Sequence, residues 1–188
     1  MNHMAWIKTV DREDAKGETK EAYDRIVKER GHLANVFQAQ GLEPKVLKME
    51  LDLYVEVMMG DGPLTREERE TIAVIVSAAN RCAYSAIHHA EALETVDRDP
   101  AALYKLVQEY TKRSETPRSK ALLAYAAKLT LDPKAITEDD INDMREAGLT
   151  DEEILRANLV AAYFNFSNRL SLGLGVRLEK GAARTYRY

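Results

Sequence analysis

The stretch LTREERETIAVIVSAANRCAYSAIHHAEAL, residues 64–93, decides how the rest of the chain is read. Thr65 followed by Glu67 and Glu68 is a helix start: the Thr oxygen accepts from free first-turn N–H groups, and carboxylates favour the positive end of the helix. At about 100° per residue, Glu70, Ala73, Val74 and Ser77 then share one face, which puts a carboxylate on a small, apolar stripe. The pattern breaks at Asn80 and Arg81 and restarts with Tyr84, Ile87, Ala90 and Leu93, so Cys82 is expected at the start of a second helix. Cys82, Ser85 and His89 fall on one face of that helix, because a separation of seven residues is about 20° short of two turns; His88 points elsewhere. A thiol at a helix N-terminus with an imidazole nearby has its thiolate favoured by the dipole and by a protonated histidine, which suits a nucleophile. The bland alternative is a buried structural cysteine beside a surface histidine.

Glu70, eleven residues, Cys82-Ala-Tyr-Ser85 and, after three more residues, His89 resembles the E-x11-C-x-x-C-x-x-x-H motif of the alkylhydroperoxidase D-like (carboxymuconolactone decarboxylase) family. The ERE and SAANRC runs and the paired histidines are similar to its peroxidase-related branch, and the resemblance extends from Trp6 to about Val176. In relatives with both cysteines, the second attacks the peroxide, the first resolves it as a disulfide, and Glu and His relay protons. The resemblance therefore implies Glu70 and His89 as the relay, Cys82 at the resolving position and Ser85 at the attacking one. A serine hydroxyl is far less acidic than a thiol and has no sulfenic state. The two-thiol cycle is thus closed to this sequence, which is either a natural variant, with Cys82 acting alone or with no peroxidase activity, or one in which the serine was introduced to trap a state. The resemblance also implies homo-oligomers, a small-molecule peroxide as substrate and a thiol reductant.

Composition narrows the class. The 188 residues, 45% hydrophobic and 31% charged, suffice for one globular domain with a core. A formal net charge of −4 provides no basic field for phosphates, so nucleic acid is not expected as a partner. One cysteine excludes an intrachain disulfide and, with no signal-peptide pattern at the start, points to the cytoplasm. No apolar run approaches the ~20 residues that span a bilayer. The histidines and acids offer no third and fourth metal ligand, and no cofactor is expected.

Outward from residues 64–93 the chain divides into an N-terminal arm (1–17), an all-helical domain (18–178) and a C-terminal tail (179–188). Trp6 and Ile7 are expected to anchor the arm. A helix from Glu18 buries Ala22, Tyr23, Ile26 and Val27 and stops at Gly31. Pro44 opens another, whose Val46, Leu47, Met49, Leu51, Leu53, Tyr54, Val57 and Met58 cover so much circumference that burial on most sides is expected. Further helices start at Pro100 (Leu103, Leu106, Val107, Tyr110), at Thr116-Pro117 (Leu122, Leu123, Tyr125, Ala126, Leu129) and at Thr137, the last ending at Gly148. No alternating β-branched run competes, so the fold is all-α, an orthogonal bundle of about six to eight helices.

Leu149-Thr-Asp-Glu-Glu to Asn165 aligns without gaps on Leu64-Thr-Arg-Glu-Glu to Asn80. This signals a duplicated helical unit, or two helices that share a capping box. The second copy lacks cysteine and histidine, and its run Leu159-Val-Ala-Ala-Tyr-Phe-Asn-Phe is apolar nearly all round, as in a central helix or one shared with a partner. Within it Asn165, Asn168 and Arg169 need partners if buried. Three functions fit: a thiol peroxidase using Cys82 with Glu70 and His89, a cofactor-free acid–base enzyme of the decarboxylase type using Glu70 and His89 alone, or a helical oligomer without catalysis.

Overall fold

The structure, a computed structural model, describes residues 4–93 and 116–179. Among these, eight α-helices follow in order: α1 Gly17–Arg30, α2 Asn35–Gln38, α3 Pro44–Met58, α4 Arg66–Ala79, α5 Ala83–Ala92, α6 Pro117–Leu131, α7 Glu138–Glu146 and α8 Asp151–Gly173. A 3-10 turn at Pro133–Ala135 is the only other regular element among the described residues, and none of them forms a strand, as the sequence pattern requires. The helix expected from Pro100 and the tail beyond Glu179 lie outside the described residues. The chain groups into two units, residues 4–56 with 169–179, and residues 57–93 with 116–168.

In the first unit α1 ends at Gly31, whose left-handed φ of 79° lets its N–H reach Val27 O at 2.9 Å. Tyr23 is fully buried there, with the hydroxyl donating to Gln38 O at 3.0 Å. Burial, helped by Asp11, pushes that hydroxyl up to about 12, so it stays a donor. Gly41 is required here because a Cβ would lie 1.9 Å from the Tyr23 hydroxyl. The arm is anchored by its backbone: Trp6 N–H donates to Leu174 O at 2.8 Å and Arg177 N–H to Met4 O at 2.9 Å, while the Trp6 side chain is 74% exposed.

The expectation for α3 needs correction. Leu47, Leu51 and Tyr54 are buried, but Val46, Met49 and Leu53, spaced at i, i+3 and i+7, form an exposed apolar stripe, Met49 at 63%. A helix apolar on two sides has only one of them covered here.

In the second unit α4 is the central helix, with Ile72 to Val76 all fully buried. α8 is not enclosed: Ile154, Ala157, Val160, Ala161 and Phe164 are buried while Leu155, Leu159 and Phe166 are exposed. The duplicated sequence has a spatial counterpart. Both copies carry the same cap, Thr65 N–H to Glu68 Oε2 at 2.8 Å and Thr150 N–H to Glu153 Oε2 at 2.7 Å. Arg118 joins those two glutamates, 2.7 Å from each. At the other end, Asn80 donates to Asn165 at 3.0 Å. Like ends meet, so the two copies lie side by side and run in the same direction. Asn165 also donates to Thr130, and the Asn168 Oδ1 accepts from Ser77 while its buried Nδ2 has no hydrogen-bond partner among the described residues; Arg169 is exposed.

Hydrogen bonds to both glutamates raise the Arg118 guanidinium further above its ordinary value, and the group is about one-third exposed. Arg118→Met is expected to lower stability by about 1 kcal/mol, the sum of two partly screened pairs, read as a shift in the urea midpoint at unchanged slope.

Candidate active site

The end of α4 sets the position of the thiol. Arg81 takes a left-handed φ of 56°, its N–H reaching Ala78 O at 2.9 Å while Cys82 N–H reaches Ser77 O at 2.8 Å. That pair of bonds is a Schellman closure with arginine where glycine is usual. It reverses the chain at once, so Cys82 becomes the N-cap residue of α5. The new helix lies against α4 through Val74, Ala86, Ile87 and Ala90.

All four expected residues are buried: Glu70, Cys82, Ser85 and His89. Cys82 Sγ lies 3.7 Å from Ser85 Oγ and donates to it. Glu70 and His89 meet directly, Oε2 to Nδ1 at 2.6 Å. The Phe164 and His89 rings pack edge to face, 4.4 Å between centroids. His88 is also buried, against the Tyr84 ring at 4.7 Å, so neither histidine is a surface residue.

A carboxylate that is 1% exposed needs compensation at both oxygens. His89 supplies one side, and Arg66 supplies the other, its Nε 2.7 Å from Oε1 with Nη2 on the same oxygen. Burial alone would raise the Glu70 carboxyl; the charge and hydrogen bond of His89, then those of Arg66, outweigh it and hold the group below the ordinary 4.5. An ionised Glu70 can only accept, so in this contact His89 carries a proton on Nδ1, which puts the ring's lone pair on Nε2.

Arg66 and Phe164 went unread in the sequence. Arg66 had a signal, since it stands one turn before Glu70 at i−4. Phe164 had none, because it comes from the second copy, 94 positions after Glu70. A cleft of about 570 Å3 in the first unit, lined by Arg12, His32, Asn35 and Arg177, contains none of the four expected residues.

The profile of the PA26 p53-induced protein (sestrin) family matches residues 2–172. The chain belongs to the sestrin family. No curated protein matches this sestrin-family chain significantly. Among solved structures it is similar to an alkylhydroperoxidase AhpD core, peroxidase-related protein from Ralstonia eutropha JMP134, at 25% identity and TM-score 0.82 over 100% of both chains. A peroxidase-related protein from Silicibacter sp. TM1040 matches at 26% identity and TM-score 0.81, over 99% of this chain and 97% of that one. The debrominase Bmp8, at 18% identity and TM-score 0.75 over 98% and 95%, shares the fold. The sestrin-family chain therefore has the alkylhydroperoxidase D-like helical fold that the motif implied, under a family label the motif did not suggest. Among its described residues no helix is long and apolar enough to cross a membrane.

Proposed function

We propose that this chain reduces peroxides or organic hydroperoxides with Cys82 as its single redox thiol and Glu70–His89 as its proton relay. The observation that carries the reading is the 2.6 Å contact of the ionised Glu70 with His89 Nδ1, on the helix that begins at Cys82. His89 Nε2 takes the proton of the Cys82 thiol, the thiolate attacks the distal oxygen of ROOH, the O–O bond breaks, and sulfur takes that OH as a sulfenic acid. The departing alkoxide takes a proton from His89 Nε2 and leaves as ROH, the imidazolium being stabilised by Glu70. One external thiol condenses with the sulfenic acid to release water, and a second frees Cys82 and leaves as a disulfide. Ser85 cannot serve as a resolving partner, so the reductant comes from outside the chain.

A reducing compartment such as the cytoplasm keeps one buried cysteine as a thiol between turnovers. The exposed stripes of α3 (Val46, Met49, Leu53) and α8 (Leu155, Leu159, Phe166) support assembly with further copies of the chain.

The test is cumene hydroperoxide turnover with a dithiol reductant. Ser85→Cys restores the two-thiol motif at a site already 3.7 Å from Cys82 Sγ and is expected to raise turnover about 10-fold or more, with an intrachain disulfide appearing in the resting enzyme. No gain together with no dependence on Cys82 would rule the reading out. The acid–base reading has its own support, since Arg66, Glu70 and His89 are complete without sulfur and Cys82 is 1% exposed. It predicts turnover of a small lactone or carboxylated substrate that survives Cys82→Ala and dies with Glu70→Gln.

A further inference from the structure

We propose that Arg66 is the positioning residue of the relay: by holding Oε1 of Glu70 it turns Oε2 alone toward His89, which fixes the imidazole proton on Nδ1 and leaves Nε2 to exchange with substrate. The inference rests on the relay just described and assigns a residue that the E-x11-C-x-x-C-x-x-x-H motif does not contain. Three observations carry it. Nε and Nη2 of Arg66 both bind the same carboxylate oxygen, so the guanidinium orients the carboxylate as well as balancing its charge. Its remaining arm is held in turn, with Nη1 against Met59 Sδ. The Arg66 side chain is 33% exposed while Glu70 is 1% exposed, which places the guanidinium between the carboxylate and solvent.

Arg69 is no substitute. It neighbours Glu70 in sequence, but its guanidinium is committed to Gly60 O at 2.8 Å and Val57 O at 3.4 Å. The two groups given to Glu70 are therefore Arg66 on its own helix and His89 from α5. Without Arg66, Oε1 has no donor among the described residues. The carboxylate is then free to rotate or to bind a proton, and both changes put a donor or a misplaced acceptor in front of Nδ1. A histidine whose tautomer is no longer fixed spends part of its time with the proton on Nε2, where it cannot accept from a thiol.

The experiment combines kinetics with 15N NMR of His89 in the full chain, for the parent, Arg66→Met and Arg66→Lys, each checked for helix content by circular dichroism. In the parent, Nδ1 is expected as the protonated ring nitrogen. Arg66→Met is expected to mix the tautomers and to lower kcat about 10–100-fold with KM within twofold, as loss of an outer-shell orienting group does. Arg66→Lys keeps the charge and should recover most of the Nδ1 signal and of kcat. Unchanged tautomer signals in Arg66→Met overturn the inference, as does a Lys variant no better than Met. The NMR arm needs no turnover, so a parent inactive on hydroperoxides would defeat the peroxidase reading and still decide the role of Arg66.

Discussion

Replacing Cys82 with alanine is expected to abolish hydroperoxide reduction, with turnover at least on the order of 100-fold lower and no oxygen retained on the protein. The chain has one sulfur that can cycle through a sulfenic acid, because methionine oxidation yields a sulfoxide that external thiols do not turn over quickly, and Ser85 has no such state. If Cys82 is the redox centre, one equivalent of cumene hydroperoxide adds one oxygen to the parent, visible by intact-mass spectrometry and removable by thiol. The alanine variant adds none at that stoichiometry. The fold should survive, since Cys82 contributes to the turn between α4 and α5 through its backbone, donating to Ser77 O and accepting from Ala86 N–H at 3.1 Å, and these bonds need no side chain. The lost sulfur leaves a small void in a residue 1% exposed, a cost of about 1 kcal/mol. Activity and stability are thereby separable. A variant that melts near the parent and keeps its turnover would remove sulfur from the mechanism and hand the site to acid–base chemistry.

How much of this was legible before any coordinates depends on whether the relevant physics is local. Helix starts and stops were readable because capping is a matter of three or four residues: Thr65 with Glu68, Thr116 with Pro117, and Thr137 with Asp140 all act where the pattern put them. Glu70 was legible as an anomaly because a carboxylate on an apolar stripe demands a partner, and it was the family resemblance, not any spacing, that implied His89 as that partner. The burial of α3 was misjudged because sequence shows which faces are apolar and not which are covered; Met49 and Leu47 read alike, and only one of them is inside. The parallel pairing of the two copies was half legible. Their self-similarity is in the sequence, but the bridge between them is Arg118, which belongs to neither copy, and no rule of spacing connects residue 118 with residues 68 and 153 at once.

Glu70→Gln should be the most damaging single-atom change in the protein, lowering turnover on the order of 100-fold or more while altering the acid side of its stability profile. Glutamine has nearly the shape of glutamate, so packing is kept and the loss is chemical. An amide presents both a donor and an acceptor where the carboxylate presented two acceptors. Arg66 can only donate, so the amide oxygen is drawn to Arg66 and the NH2 is turned toward His89. Nδ1 must then accept, the proton moves to Nε2, and the atom that should take a proton from the thiol already carries one. The same exchange of tautomer explains the cost of replacing a carboxylate by its amide beside a catalytic histidine in general. Glu70→Ala removes the shape as well and leaves a guanidinium and an imidazole facing a void, which should destabilise the chain by about 3–5 kcal/mol, as the loss of one partner from a buried charge pair does. The pH dependence follows from the direction of the shift. Glu70 is held below its ordinary 4.5 in the folded chain, so the unfolded chain binds this proton more readily. Its contribution to stability is present in full above about 4.5 and is lost as pH falls through the folded value, since stability rises with pH wherever the unfolded state binds more protons. Thermal melts of the parent from pH 7 down to pH 3 should therefore steepen below 4.5, and the Gln variant should show a shallower fall over that interval. Other carboxylates held low, among them Glu68, Glu153 and Asp140, titrate equally in both proteins and cancel in the difference. Parallel profiles for parent and variant would show that Glu70 titrates alike in folded and unfolded chains, against the ionised Glu70–His89 pair on which the relay depends.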